Sequence, residues 1–255
     1  MMYILVSSTR NTSPITVKRL YKSYGKVRAL RGLTFSVNPG EIYGLLGPNG
    51  AGKTTTLKIL VGLLRPDGGS AAICSHDIAR ERLEALKCIG YVPENPVGFQ
   101  NLTVREFLRY IAELRGLEPS FYEKQIDRYL QLFNLEEKAD ALYKSLSRGM
   151  AQKVLVAAAL LPRPRVLIMD EPMAGMDPEA QHAFKEEIRR LSAEGVAVLI
   201  SSHLLDMVER FCTRVGIIVG GRLVAEGSLD ELRGRVEAGD ASLEEVFLRL
   251  VGGER

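Results

Sequence analysis

Cysteine is scarce in this chain. Three residues, Cys74, Cys88 and Cys212, lie far apart in the sequence. Their odd number and scatter fit unpaired thiols in a reducing cytosol better than a disulfide framework. No CxxC pair and no Cys/His cluster is present, which speaks against metal ligation by thiols. Charge of one sign is also in short supply. The 34 Lys+Arg residues nearly balance 31 Asp+Glu, for a net charge of +3, and no long basic run marks a nucleic-acid surface. Long hydrophobic runs are missing too. The longest candidates, such as residues 196–200, have the length of a strand and fall far short of the roughly 20 apolar residues that span a bilayer. The opening residues, MMYILVSSTR, have an apolar patch but no basic lead and no long apolar region, so they do not read as a secretion signal. A soluble protein is expected, or one held at a membrane only by a partner. There is no internal repeat and no low-complexity segment.

What is present is ordinary globular material. The 255 residues are 46% hydrophobic and 25% charged, enough for a buried core in one large domain or two small ones. Short apolar runs at 42–46, 166–169, 196–201 and 215–219 read as strands, the last ending in a Gly220-Gly221 hairpin signal. Helical stretches alternate with them, which predicts a mostly parallel sheet covered on both faces. The middle differs. LTVREFLRYIAELRGL has apolar residues at helical spacing and a capping box of Thr103 with Glu106, and a second amphipathic stretch runs from Tyr122 to Phe133. A helical lobe of about residues 89–162 is therefore expected to interrupt an α/β core of about 15–88 and 163–235. The tail SLEEVFLRLVGG predicts one short closing helix within 236–255.

The chemistry concentrates in a few places. GPNGAGKT, Gly47 to Thr54, fits G-x-x-x-x-G-K-[ST] after a strand and before a helix. Its glycines let the N–H groups of residues 49–53 curl around phosphate oxygens. Lys53 then reaches the β- and γ-phosphates, and the Thr54 hydroxyl ligates Mg²⁺. VLIMDEP, Val166 to Pro172, is an apolar strand with two carboxylates at its carboxyl end, where open α/β sheets bind ligands. Asp170 is placed to hold Mg²⁺ through water, and Glu171 to polarise an attacking water. His203 ends another strand at the same edge, within reach of a γ-phosphate, although a lone histidine there is more often a surface turn. Tyr24 is placed to stack on a base, although a lone loop tyrosine usually only packs. LSRGMAQK, Leu146 to Lys153, sets Ser147 as an N-cap, with the N–H groups of Arg148, Gly149 and Met150 pointing out of the helix as a second anion site.

Together these residues resemble the ATP-binding subunits of ABC transporters, from about Ile15 to the C-terminus and in the family's order. Tyr24 matches the adenine-stacking aromatic, Gly47–Thr54 Walker A, and Tyr91–Asn95 the Q-loop. Leu146–Lys153 matches the signature helix, Val166–Glu171 Walker B, Ala174–Asp177 the D-loop and His203 the switch histidine. The resemblance implies an α/β P-loop NTPase core with an inserted helical lobe and an antiparallel β subdomain, in one ATPase domain of residues 15–245. It implies nucleotide contacts from Tyr24, Gly47, Pro48, Asn49, Gly50, Ala51, Gly52, Lys53, Thr54 and Thr55. Catalysis falls to Glu171, His203 and Lys53, and Mg²⁺ to Thr54, Asp170 and Glu94. In the family two such domains bind head to tail, so Ser147 and Gly149 would complete the partner's ATP site. A membrane permease's coupling helix would dock near Glu94–Leu102.

Three residues depart from the commonest pattern. Glu94 stands where the family more often has Gln, and Arg148 and Met150 replace residues of LSGGQ, while Gly149 is kept. Glu94, the GM-type signature and the C-terminal LEEVFLRL resemble small exporters that pair with a separate permease. The function implied is an ATPase that drives transport, cytoplasmic and peripheral on the inner face of the cell membrane, with no nucleic acid expected. The alternatives are a non-transport member acting on DNA or ribosomes and a purely structural nucleotide-binding module. DNA-repair members carry a long coiled-coil insertion and ribosomal ones usually two tandem cassettes; neither is seen in this sequence. The Lys53, Asp170, Glu171 and His203 set argues against the structural module.

Overall fold

The computed structural model describes residues 13–203, 205–235 and 242–252. The opening stretch 1–10 read above as no leader lies outside them, as do 236–241 and 253–255 of the tail. The chain begins with two long strands, β1 (Ile15–Tyr24) and β2 (Val27–Val37), joined by a turn at Gly25, whose φ is +57°. They pair antiparallel with register shifts, and β4 (Gly68–Ile73) and β5 (His76–Asp77) extend the sheet in the order β2-β1-β4-β5. Between them lie β3 (Ile42–Leu46), buried at every residue, and helix α1 (Lys53–Leu60).

Helix α2 (Arg82–Lys87) leads to β6 (Ile89–Val92). Three helices follow: α3 (Val104–Leu114), α4 (Pro119–Leu132) and α5 (Arg148–Leu160). The expected capping box starts α3: Thr103 accepts from the Glu106 N–H, and Glu106 accepts from the Thr103 N–H at 2.8 Å. The chain then alternates through β7 (Val166–Asp170), α6 (Pro178–Ala193), β8 (Ala197–Ser202) and α7 (Leu205–Phe211). It continues through the hairpin β9 (Arg214–Val219) and β10 (Arg222–Gly227), then α8 (Leu229–Arg235) and α9 (Leu243–Gly252).

The second sheet has six strands in the order β10-β9-β3-β8-β7-β6, parallel except for β10. Strand β6 belongs to this sheet, so the helical segment begins after it, whereas the sequence reading started the lobe at residue 89. The four-residue run IGYV was too short to separate from the helical pattern beyond it.

Period-two alternation sends alternate side chains of the buried strands to opposite faces. Leu46, Leu167, Met169, Val198 and Ile200 pack with α5, α6 and the lobe. Tyr43, Leu45, Ile168 and Leu199 pack with α1 and the antiparallel sheet. One six-stranded sheet thus lies between two apolar layers, and its carboxyl edge carries the loops in which the expected functional residues sit.

Candidate nucleotide-binding site

Strand β3 ends at Leu46, and the chain turns through Gly47–Gly52 into α1. Gly52 is the N-cap residue, with φ +111°, and a Cβ there would come within 2.7 Å of the Ala29 carbonyl. Only glycine fits this turn. The Ala51 N–H is already engaged, donating to Pro48 O at 3.2 Å, so it is not among the free donors expected of residues 49–53. Lys53 follows at the start of α1 and is 8% exposed. Its ammonium donates to the Gly47 and Pro48 carbonyls at 2.5 and 3.2 Å. Burial pulls its pKa below the ordinary lysine value, although Glu171, Asp170 and Glu94 pull the other way. Among the described residues no carboxylate comes within ion-pair distance of it.

On the facing edge, Asp170 ends β7 and is 2% exposed. The Ser201 hydroxyl, opposite it on β8, donates to Asp170 Oδ1. Glu171 comes next, in the left-handed region at φ +47°. A non-glycine residue there carries backbone strain, and such residues cluster at functional sites. The Glu171 N–H donates to Ser201 O at 3.1 Å. Its carboxylate accepts from the Ser202 hydroxyl at 3.3 Å and lies 2.7 Å from His203 Nδ1. Ser201 and Ser202 were not singled out from the sequence. The available signal was two hydroxyls ending an apolar strand that neighbours an Asp-Glu pair.

A cleft of 220 Å³ joins these parts. Lys53, Thr54, Glu94, Asp170, Glu171 and His203 line it together with Asn49, Gly50 and Ala51. Gly47, Pro48 and Gly52 form the turn behind it, and Thr55 lies in the first turn of α1. Tyr24, at the end of β1, is 47% exposed, does not line the cleft, and has Lys22 Nζ 5.8 Å from its ring centroid. The donor set suits Mg²⁺. A threonine hydroxyl, a buried aspartate already oriented by Ser201 and a second carboxylate supply oxygen only, and this ion takes its remaining ligands from phosphate and water. Bound there, the metal would neutralise phosphate charge, with Thr54, Asp170 and Glu94 as its protein side.

Ser147 and Gly149 stand apart from this cleft, on the lobe. Ser147 is the N-cap of α5 as the sequence predicts, but its hydroxyl accepts from the Met150 N–H at 3.2 Å. The outward-pointing donors are therefore fewer than the three expected, because the cap uses Met150 itself. A Cβ on Gly149 would collide with the Gly175 carbonyl, so this glycine is needed by the chain's own D-loop. The same helix reaches the core twice more. Lys153, buried, lies 3.4 Å from Asp177, and Gln152 Nε2 donates to Pro93 O at 3.5 Å. Neither contact was foreseen, since both partners come from loops distant in sequence.

A phosphate-cradling turn, a paired-carboxylate strand end and a histidine facing one cleft on a parallel sheet define a P-loop ATPase. Comparison with known proteins agrees. The ABC transporter family profile matches residues 30–174. The Nod factor export ATP-binding protein I of Burkholderia orbicola (strain AU 1054) is 41% identical over 222 residues, covering 86% of this chain and 72% of that one. A solved ATP-binding subunit of an ABC transporter superposes with a TM-score of 0.90 at 37% identity, over 94% of this chain and all of that one. CbiO1 of Clostridium perfringens, part of the ABC transporter complex cbiONQ, superposes with a TM-score of 0.74 at 27% identity, over 88% and 92%. The chain belongs to the ABC transporter family, and within it is an ATP-binding and ATP-hydrolysing subunit.

Proposed function

We propose that this chain pairs with a second ABC ATPase domain, a copy of itself or a relative, around two MgATP, and drives export through a separate membrane permease. The observation that carries the reading is Glu171. A strained backbone holds its carboxylate between Ser202 and His203 at the cleft that also contains Lys53. Lys53 exchanges its two carbonyl partners for the β- and γ-phosphates. Tyr24 stacks on the adenine, residues 47–55 wrap the phosphates, and Thr54, Asp170 and Glu94 form the protein side of the Mg²⁺ site. Glu171 accepts a proton from water as that water attacks the γ-phosphorus. His203 holds Glu171 through Nδ1, and its Nε2 is the atom that can turn to the γ-phosphate. Donating from both nitrogens at once requires the doubly protonated ring. Ser147 and Gly149 cap the nucleotide bound by the partner.

The permease has a dock. A groove of 380 Å³ runs between core and lobe, lined by Tyr91, Val97, Phe99, Phe107, Ile111 and Leu155 among others. Val97 is 73% and Phe99 52% exposed. An exposed apolar groove of this kind fits an apolar helix of a partner. Among the described residues no helix is long and apolar enough to cross a membrane. Attachment through a permease, on the cytoplasmic face, accounts for work at a membrane. Export is the direction carried by the curated relative's name. The ATPase unit is taken as residues 15–245 followed by the tail.

The test is Glu171→Gln. The amide keeps the shape and loses the base, so ATP binding stays near wild type while turnover falls about 10²- to 10⁴-fold. Gel filtration with ATP and Mg²⁺ should show the dimer accumulating. A variant that still hydrolyses ATP at the wild-type rate moves the base elsewhere, and one that binds ATP yet stays monomeric removes pairing with a copy of itself.

A further inference from the structure

The parallel strands have a second end. Arg165 immediately precedes β7, Val196 precedes β8, and Pro39 lies just before β3. These three line a cleft of 580 Å³, more than twice the volume of the nucleotide cleft. It lies a strand's length from Asp170, roughly 17 Å for five residues. Arg128, from α4 of the lobe, lines it too, with Arg163, Arg165 and Arg190 from the core. Glu194 is the carboxylate in the lining.

The charges do not balance. Glu187 accepts from Nη1 and Nη2 of Arg128, at 2.9 and 2.7 Å, and also from Arg190. Glu194 binds Arg190 as well. Arg163 lies over the Phe121 ring at 5.0 Å. Among the described residues neither Arg163 nor Arg165 has a carboxylate partner. Four guanidinium groups therefore face two carboxylates, and two positive charges are left over. Arginine forks match the oxygens of phosphate, and a phosphate monoester carries between about −1.5 and −2 at neutral pH. Pro39, Pro164 and Leu191 give the cleft apolar walls beside the charges, which suits an organic group attached to the phosphate.

We infer that this cleft binds a small phosphate monoester, gripped by Arg163 and Arg165. The site is separate from the P-loop and does not depend on how the P-loop works. Both gripping arginines belong to the core, and Arg128 of the lobe, already held by Glu187, stands at the side of the same cleft.

The probe is glycerol phosphate, titrated calorimetrically into the full chain with the P-loop saturated by MgADP. Wild-type protein should bind one equivalent. Arg163→Ala with Arg165→Ala removes two charge-assisted contacts and should weaken binding at least about 100-fold, with MgADP affinity unchanged. Both side chains are exposed, so the fold should survive; identical thermal melting checks this. Glu194→Gln gives an independent arm. Removing that carboxylate leaves a third unbalanced positive charge, and binding should tighten several-fold. Vesicles containing phosphatidic acid present the same headgroup on a lipid. No binding of glycerol phosphate by wild type, equal binding by the double variant, or response to those vesicles alone overturns the inference.

Discussion

At the P-loop the buried Lys53 ammonium meets, among the described residues, only the carbonyls of Gly47 and Pro48. Between lobe and core the Glu187 carboxylate, 4% exposed, is held by Arg128, Arg190 and the Tyr129 hydroxyl. Both are charges taken out of water, which is unfavourable unless a counter-charge compensates. The chain supplies compensation for one and withholds it from the other. The pKa directions record the difference. Burial pushes the Glu187 carboxyl up, but hydrogen bonds from Arg190 and Arg128 and their charges bring it down to about 2. For Lys53, burial prevails over the distant carboxylates, and the ammonium is destabilised. A buried charge with its partners present holds structure together. A buried charge without one is kept for a ligand that carries the opposite sign.

The contrast is tested most strongly at Lys53. Lys53→Ala should lower turnover by at least about 10²- to 10³-fold, through lost ATP binding or lost phosphate stabilisation, because one charged donor disappears from the phosphates. Its melting temperature should be no lower than wild type, since an uncompensated charge has been removed. Turnover near the wild-type rate would undo the P-loop assignment, and a large drop in melting temperature would undo the contrast. Glu187→Ala should do the reverse. It strands two arginines and should destabilise the fold by about 2 kcal/mol in urea unfolding, less than for a fully enclosed pair because both arginines can turn to water. ATP affinity of the folded protein should not change.

Acid sharpens the same point. Glu187 has its folded pKa depressed, so its contribution is fully present above the ordinary carboxylate value of 4.5 and is lost as pH falls towards about 2. Wild type should lose on the order of 1–3 kcal/mol through that window. Glu187→Gln should lack this component, and a profile that falls as steeply as wild type would show that other carboxylates carry the acid sensitivity. The smallest change in the isolated protein is expected at the proposed docking groove, whose charged lining residue, Arg115, donates to the Leu86 and Ile89 carbonyls and stays untouched by a change at Phe99. Phe99 rests edge-on against Tyr110 at 4.9 Å between ring centroids and remains half exposed. Phe99→Asp should shift stability by about 0.5 kcal/mol and leave basal ATPase near normal. Membrane co-sedimentation with the permease should be lost. Unfolding of this variant would make Phe99 a core residue, and wild-type retention on membranes would remove it from the dock.

Much of this could be read from the chain because it is written locally. The run 42–46 is apolar at every position and forms a buried strand of the same limits. Thr103 with Glu106, and Ser147 ahead of an apolar run, mark helix starts within four residues. The residues that line the candidate nucleotide cleft could be picked out of the sequence because they sit in short contiguous motifs. Strands β1 and β2 were expected only through the family resemblance, because register shifts and the left-handed Arg19, at φ +47°, break the period-two pattern. The clasp of Glu187 by Arg128 joins residues 59 positions apart, and no periodicity announces such a pair. Ser201 and Ser202 were hidden for a related reason. Their role depends on the register of β8 against β7, which only the folded sheet sets.

The contact between Gly149 and Gly175 has a mechanical consequence. With no room for even one carbon between the signature turn and the D-loop carbonyl, the two segments meet without clearance. Close-packed interiors transmit displacement instead of absorbing it. Gly175 is four residues beyond Glu171, and Lys153 ties the same helix to Asp177 just downstream. Whatever displaces the start of α5 is therefore felt a few residues from Glu171. The start of α5 and the loop after β7 therefore act as one lever, with Glu171 at its near end.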